Sequence, residues 1–151
     1  MNFFIQTFNP IKWFEAGNTP EDFDDELEEF KSEGEVTLQW SMQSHRLAKQ
    51  GDISFFLVQG VEPRGIYGAG IIVSDPYVDS NWNGNGRCVH YVDVKAIKFT
   101  DYSKLFITLN ELKRIDPNYN WSPRSGGITL PFPTGKILAE KLKLPINIVR
   151  G

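Results

Sequence analysis

Three side chains stand out as candidates for nucleophilic or soft-metal chemistry in this 151-residue sequence: His45, His90 and Cys88. Neither histidine has a companion at metal-ligand spacing, and a lone cysteine makes no zinc signature. Cys88 and His90 are two apart in a strand-like stretch and so share one side, but no third group completes a nucleophile–base arrangement. His90 reads as structural or surface. His45 follows Trp40-Ser41 closely and is a candidate for ligand contact, with capping or packing as the alternative. The run Gly65-Ile66-Tyr67-Gly68-Ala69-Gly70 lacks the lysine and hydroxyl of a phosphate loop, misses the dinucleotide pattern and lies inside an apparent strand. The acids between Glu21 and Glu29 fall on the solvent side of an amphipathic helix and need no metal to explain them. No catalytic residue, metal or cofactor is expected, and the chain reads as a binding protein.

The aromatic residues carry more information. Trp13, Trp40, Trp82 and Trp121 all lie in or beside expected loops and strand ends. Trp13 is equally explained as core packing. Trp40 and Trp121 differ, because each is followed by serine and then by a basic or imidazole group: Trp40-Ser41 leads to His45-Arg46, and Trp121-Ser122-Pro123 to Arg124-Ser125. Flat rings beside a few hydrogen-bonding groups are what a recognised nucleic-acid base requires. Arg46, Arg64 and Arg124, with Ser125, are candidate contacts to the nucleic-acid backbone, ordinary surface being the alternative.

These residues must be held by a scaffold, and the pattern predicts one that is mainly β. Strands are expected at Phe3–Phe8, Val36–Trp40, Ile53–Val58 (a continuous apolar run, hence central), Ile66–Ser74, Cys88–Val94 and Ile128–Leu130. A further strand or turn is expected at Phe99–Ser103, and a polar loop from Asp75 to Gly86. Thr19-Pro20-Glu21-Asp22 is a helix start, with a capping threonine, proline at the first position and acids beside the positive end. Phe23, Leu27 and Phe30 give that helix one apolar stripe, and Gly34 ends it. Short helices are expected around Leu105–Leu112 and at Thr134–Leu142, the latter with Ile137, Leu138 and Leu142 as its apolar face. Gly68 and Gly70 inside a strand permit a bend or a close backbone approach. Few helices, five or six short strands and bending glycines point to an α+β chain whose core is a small β-barrel with flanking helices.

Bulk properties set limits. The length suits one domain, spanning residues 1–151, with a core that needs no disulfide or metal. The single cysteine fits a reducing compartment. No apolar stretch approaches the roughly 18 residues of a membrane span, and the first residues lack a signal-peptide pattern, so a cytoplasmic location is expected. The net charge is −3, but residues 21–35 hold most of the excess acid, and the remainder is mildly basic. Pocket-driven binding fits this balance better than sequence-independent wrapping of duplex.

Five segments in order resemble the EVE domains of the PUA-like superfamily, relatives of YTH domains and of the DNA-recognition domains of modification-dependent restriction systems. They are Phe8-Asn9-Pro10 with Trp13; Trp40 followed by Gly51-Asp52; Gly65 to Gly70 followed by Ser74-Asp75-Pro76; Tyr91-Val92-Asp93-Val94; and Trp121 to Ile128. The resemblance implies a closed barrel that takes a flipped, modified base (methylated or hydroxymethylated cytosine or adenine) of DNA or RNA without reacting with it. It implies a pocket around Trp40 and Ser41, with Asn9, Tyr67 and Trp121 near it, and a separate effector protein for any downstream action. The helical segment at about 20–34 and the low charge depart from the family pattern. The rival is a protein-interaction or structural module on the same scaffold. Convergence of Trp40 and Trp121 on one open cavity with polar walls is the observation expected to separate them.

Overall fold

The computed structural model describes residues 1–145, so residues 146–151 of the expected domain lie outside the described part. Eight strands and four helices follow one another as β1 (Phe3–Phe8), α1 (Pro10–Glu15), α2 (Pro20–Glu33), β2 (Val36–Ser41), β3 (Ile53–Val58), β4 (Gly65–Ile72), β5 (Tyr77–Ser80), β6 (Cys88–Phe99), β7 (Ile107–Thr108), α3 (Leu109–Ile115), β8 (Ile128–Leu130) and α4 (Phe132–Lys141). They form one mixed sheet in the order β2-β6-β4-β3-β1-β8, with β5 added to β6 and β7 to β4. β1 and β3 run parallel; the other pairs are antiparallel.

Alternation along the strands divides the core in two, because successive side chains point to opposite faces. Phe4 and Phe8 of β1 join Phe56, Tyr67 and Phe99 beneath Phe23 and Leu27 of α2. Phe3 and Ile5 join Phe55, Leu57 and Ile66 on the other face, against Leu112 of α3 and Leu138 of α4. β3 is buried along its whole length, as a continuous apolar run requires. α2 begins as its sequence dictates: Asp22 N donates to Thr19 Oγ1 (3.3 Å) and Thr19 N donates to Asp22 Oδ2 (2.7 Å), with Pro20 next to the cap. Leu138 of α4 and Leu142 just after it are buried, but Ile137 is exposed.

The sheet is not closed into a barrel, which corrects the expected architecture. β2 and β8 are its two margins and no ladder joins them. Of the two roles expected for the glycines, the close approach is present: a Cβ at Gly70 would stand 2.4 Å from Lys95 O, where the β4–β6 register shifts between Ala69 and Gly70. This irregularity does not close the sheet. β8 has three residues, already paired to β1, and the chain leaves β2 at Met42 for a run of turns. The margins instead meet through backbone bonds outside the strands, Gln43 N to Gly126 O (3.2 Å) and Ser44 N to Gly127 O (2.8 Å).

Two further differences concern β6. The expected polar loop contains β5, which is a strand because it pairs with Cys88–Tyr91, not because it is apolar. β6 itself runs unbroken to Phe99, absorbing the start of the element expected at Phe99–Ser103.

Candidate nucleic-acid interface

A cavity of about 850 Å³, within the size range of small-ligand sites, lies between the end of β2 and the end of β1. One wall is the end of β2 from Leu38 to Ser41, continued by Met42 and Gln43. The facing wall is Thr7, Phe8 and Asn9 at the end of β1, with Arg124, Ser125 and Gly126 ahead of β8. Tyr67, Phe99, Phe23 and Glu26 also line it, and Trp82 and His90 come from the β5–β6 loop and β6.

Trp40 is half-buried and lies nearly parallel to Phe56, ring centroids 5.0 Å apart at 28°. Phe56 in turn contacts Tyr67, which is buried. Trp13 closes the α1 side with its ring edge-on to Phe8 at 5.5 Å. Trp82 is exposed on a loop whose backbone is fixed by a bond from Trp82 N to Tyr91 Oη (2.9 Å). His45 and His90 lie face to face, 3.5 Å apart and 4° from parallel. Aromatic plates with open edges are sites on which a base can stack. Polar groups sit among them: Asn9, which also caps α1 by accepting from Lys12 N (3.2 Å), Ser41, the two imidazoles, Arg124 and Ser125. Trp40 Nε1 is buried without a hydrogen-bond partner.

Of the residues singled out in the sequence, the fold brings Asn9, Trp40, Ser41, His45, Tyr67, Arg124 and Ser125 to this one cavity. Trp121 is not among them. It is 3% exposed in the core of the opposite face, where Nε1 donates to Asp116 O (2.9 Å) and the ring meets Tyr119 edge-on. The expected convergence of Trp40 and Trp121 therefore does not occur; Trp13 and Trp82 supply the other indole rings. Arg46 is exposed on the turn after β2 and does not line the cavity.

Arg64 belongs to an adjoining groove of about 1140 Å³, which shares Thr7, Asn9, Trp82, Asn83 and Arg124 with the cavity. Its Nη2 donates to Gln59 Oε1, Trp121 O and Ser122 Oγ at 2.9–3.2 Å, so it braces the segment ahead of Arg124. Lys12 adds a third cation to this groove beside Arg64 and Arg124, and Glu15 and Glu62 offset them in part.

Among the cavity residues that the sequence reading did not assign to a pocket are His90 and Glu26. His90, read as structural or surface, stacks on His45 and lines the cavity. Glu26 leaves the solvent face assigned to the acids of α2: it is half-buried, lines the cavity and has its carboxyl pushed up to about 7, by burial first and then by Asp22 and Glu29. The signal was present, since Phe23, Glu26, Leu27 and Phe30 follow the 0, 3, 4, 7 spacing of an inward helix face. Among the described residues, no group of three or more His, Cys, Asp or Glu could hold a metal ion, and no helix is long and apolar enough to cross a membrane.

No protein-family model and no curated protein matches the chain. Solved structures do. A hypothetical protein of Leishmania major superposes with a TM-score of 0.62 at 15% identity, over 95% of each chain. A Pseudomonas syringae protein gives 0.55 at 17% identity, over 92% of this chain and 99% of its own. Human THYN1, solved in complex with DNA containing 5-methylcytosine, gives 0.50 at 23% identity, over 76% of this chain and 74% of its own. The chain thus has an EVE-domain-like fold, related to that of human THYN1.

Proposed function

We propose that this chain binds nucleic acid by taking one flipped base into the cavity beside Trp40, without reacting with it. The observation that carries this reading is a cavity between the ends of β1 and β2, lined by aromatic rings and edged by Asn9, Ser41, His45 and Ser125. The EVE-domain-like fold, found in a protein solved with 5-methylcytosine DNA, supports the same reading and makes a modified cytosine or adenine the first ligand to test. Trp40 is the stacking plate, Tyr67 closes the base, and Asn9, Ser41 and His45 are edge contacts. Arg124 and Ser125 meet the backbone at the rim. Arg64 and Trp121 act through the segment they hold, and Arg46 is left as an outlying charge. Extruding a base costs a few kcal/mol, which stacking and edge hydrogen bonds offset.

The test is binding of the full chain to short single- and double-stranded DNA and RNA, each with and without methylated or hydroxymethylated bases. Modification-dependent binding that falls at least tenfold in Trp40→Ala is the expected result. Trp40→Phe keeps a ring and removes an N–H that has no partner, so it should retain most of the affinity. Absence of binding to every one of these, at modest salt and high concentration, rejects the reading in favour of a protein-interaction module.

A further inference from the structure

We propose that Glu26 reads the edge of the bound base as a neutral carboxylic acid, accepting from an exocyclic amino group and donating to the adjacent ring nitrogen, so that binding takes up a proton. This rests on the base-pocket reading above and assigns its edge-reading group.

The argument begins with helix geometry. Glu26 stands three residues after Phe23 and directly before Leu27, both buried, so its side chain cannot share the solvent face of the other acids. It lines the cavity with Tyr67 and Phe23. The groups facing it are Asp22 and Glu29 on its own helix and Tyr67 from β4; His45, His90 and Arg124 line the same cavity. Neither a cation nor a hydrogen bond is among the influences on its carboxyl; burial and the two like charges push it up to about 7. The sole ion pair among the described residues, Lys95 with Glu35, lies elsewhere. Among the described residues Glu26 therefore has no hydrogen-bond or ion-pair partner, and it lines an aromatic cavity with its carboxyl pushed up to about 7.

A carboxylic acid has one O–H donor and one free acceptor. Cytosine presents an amino donor at N4 beside an acceptor at N3, and adenine presents N6 beside N1. The acid matches either pair with two hydrogen bonds. The carboxylate offers acceptors alone and sets its charge against the ring-nitrogen lone pair. Methylation or hydroxymethylation at C5 of cytosine leaves this edge free, and methylation at N6 of adenine leaves one N–H.

The test is a fluorescence titration of the full chain from pH 5.5 to 8.5 at constant salt, with single-stranded oligonucleotides carrying one 5-methylcytosine or one N6-methyladenine. Wild-type affinity should be level below about pH 6 and fall towards tenfold per unit above about pH 7, as uptake of one proton requires. Glu26→Gln supplies the same acceptor–donor pair without titrating, so it should bind at pH 8.5 about as wild type does at pH 6. Glu26→Ala should lose about tenfold at pH 6. Any slope common to wild type and Glu26→Gln does not come from Glu26. Identical pH profiles for these two proteins, or wild-type affinity in Glu26→Ala, overturns the proposal while Trp40-dependent binding leaves the base-pocket reading standing. No binding by wild type at any pH overturns both.

Discussion

Glu26 also links protonation to folding. Its carboxyl titrates near pH 7 in the folded chain, because burial and the charges of Asp22 and Glu29 disfavour the ionised form. In the unfolded chain it titrates near the ordinary value of about 4.3. Between these limits the folded state holds a proton that the unfolded state has released. The contribution of this group is fully present below about pH 4.3 and is lost as pH rises through about 7. The full shift corresponds to roughly 4 kcal/mol, but the group is partly exposed and solvent screens it, so about 1–2 kcal/mol is expected. Urea unfolding at pH 5 and pH 8 measures this directly. Wild type should lose about 1–2 kcal/mol more than Glu26→Gln between the two pH values, with the variant the more stable at pH 8. Parallel losses would show that the carboxylate is well hydrated and that its neighbours do not govern it.

At the scale of the element, α2 matters because it brings Phe23 and Glu26 to the cavity. It is anchored at its start by the reciprocal bonds of Thr19 and Asp22, and at its end by Gly34 in the left-handed conformation. Thr19→Ala removes one of these bonds and should cost about 1 kcal/mol. Hydrogen exchange should show faster opening of α2 while β3 and β4 keep their protection, because the sheet does not depend on that cap. Uniform loss across the chain would mean that α2 opens only with the whole fold.

The elements that were legible in the sequence are those whose own residues decide them. β1, β3 and β8 fall at their expected limits, since short apolar runs bounded by turns leave little choice. β5 was not legible, as Val78, Asp79 and Ser80 are exposed and the segment is a strand by virtue of its ladder with β6. The open seam was not legible either. Closure depends on whether two distant margins pair, and nothing in β2 or β8 taken singly reports that. The site follows the same division. Trp40 and its polar followers signalled a cavity, whereas Trp121, with the same local pattern, turns to the opposite face to give its N–H to Asp116 O. Which face a loop side chain takes is settled by the carbonyls and cores within its reach.

For the whole molecule, the proposed function makes the distribution of charge the control on how nucleic acid would approach. Glu26 of α2 lines the cavity, while Arg124 lines both it and the adjoining groove, where Lys12 and Arg64 add positive charge. Phosphates are accepted beside these cations, so the strand should leave the cavity along the groove. With a net charge of −3 and Arg64 already bonded to protein acceptors, few phosphates can be neutralised. Each phosphate contact contributes roughly 0.7 to the slope of log affinity against log salt for a single strand. A slope of about −1.5 to −2 is therefore expected between 50 and 200 mM salt, corresponding to two or three contacts. Arg124→Ala should lower its magnitude by roughly 0.7 and weaken modified and unmodified strands alike, whereas Trp40→Ala should leave the slope unchanged and remove the preference between them. A slope that stays the same in Arg124→Ala would place the backbone outside this groove. Separate control of slope by Arg124 and of preference by Trp40 would show that holding the strand and reading the base are distinct tasks on the two sides of one seam.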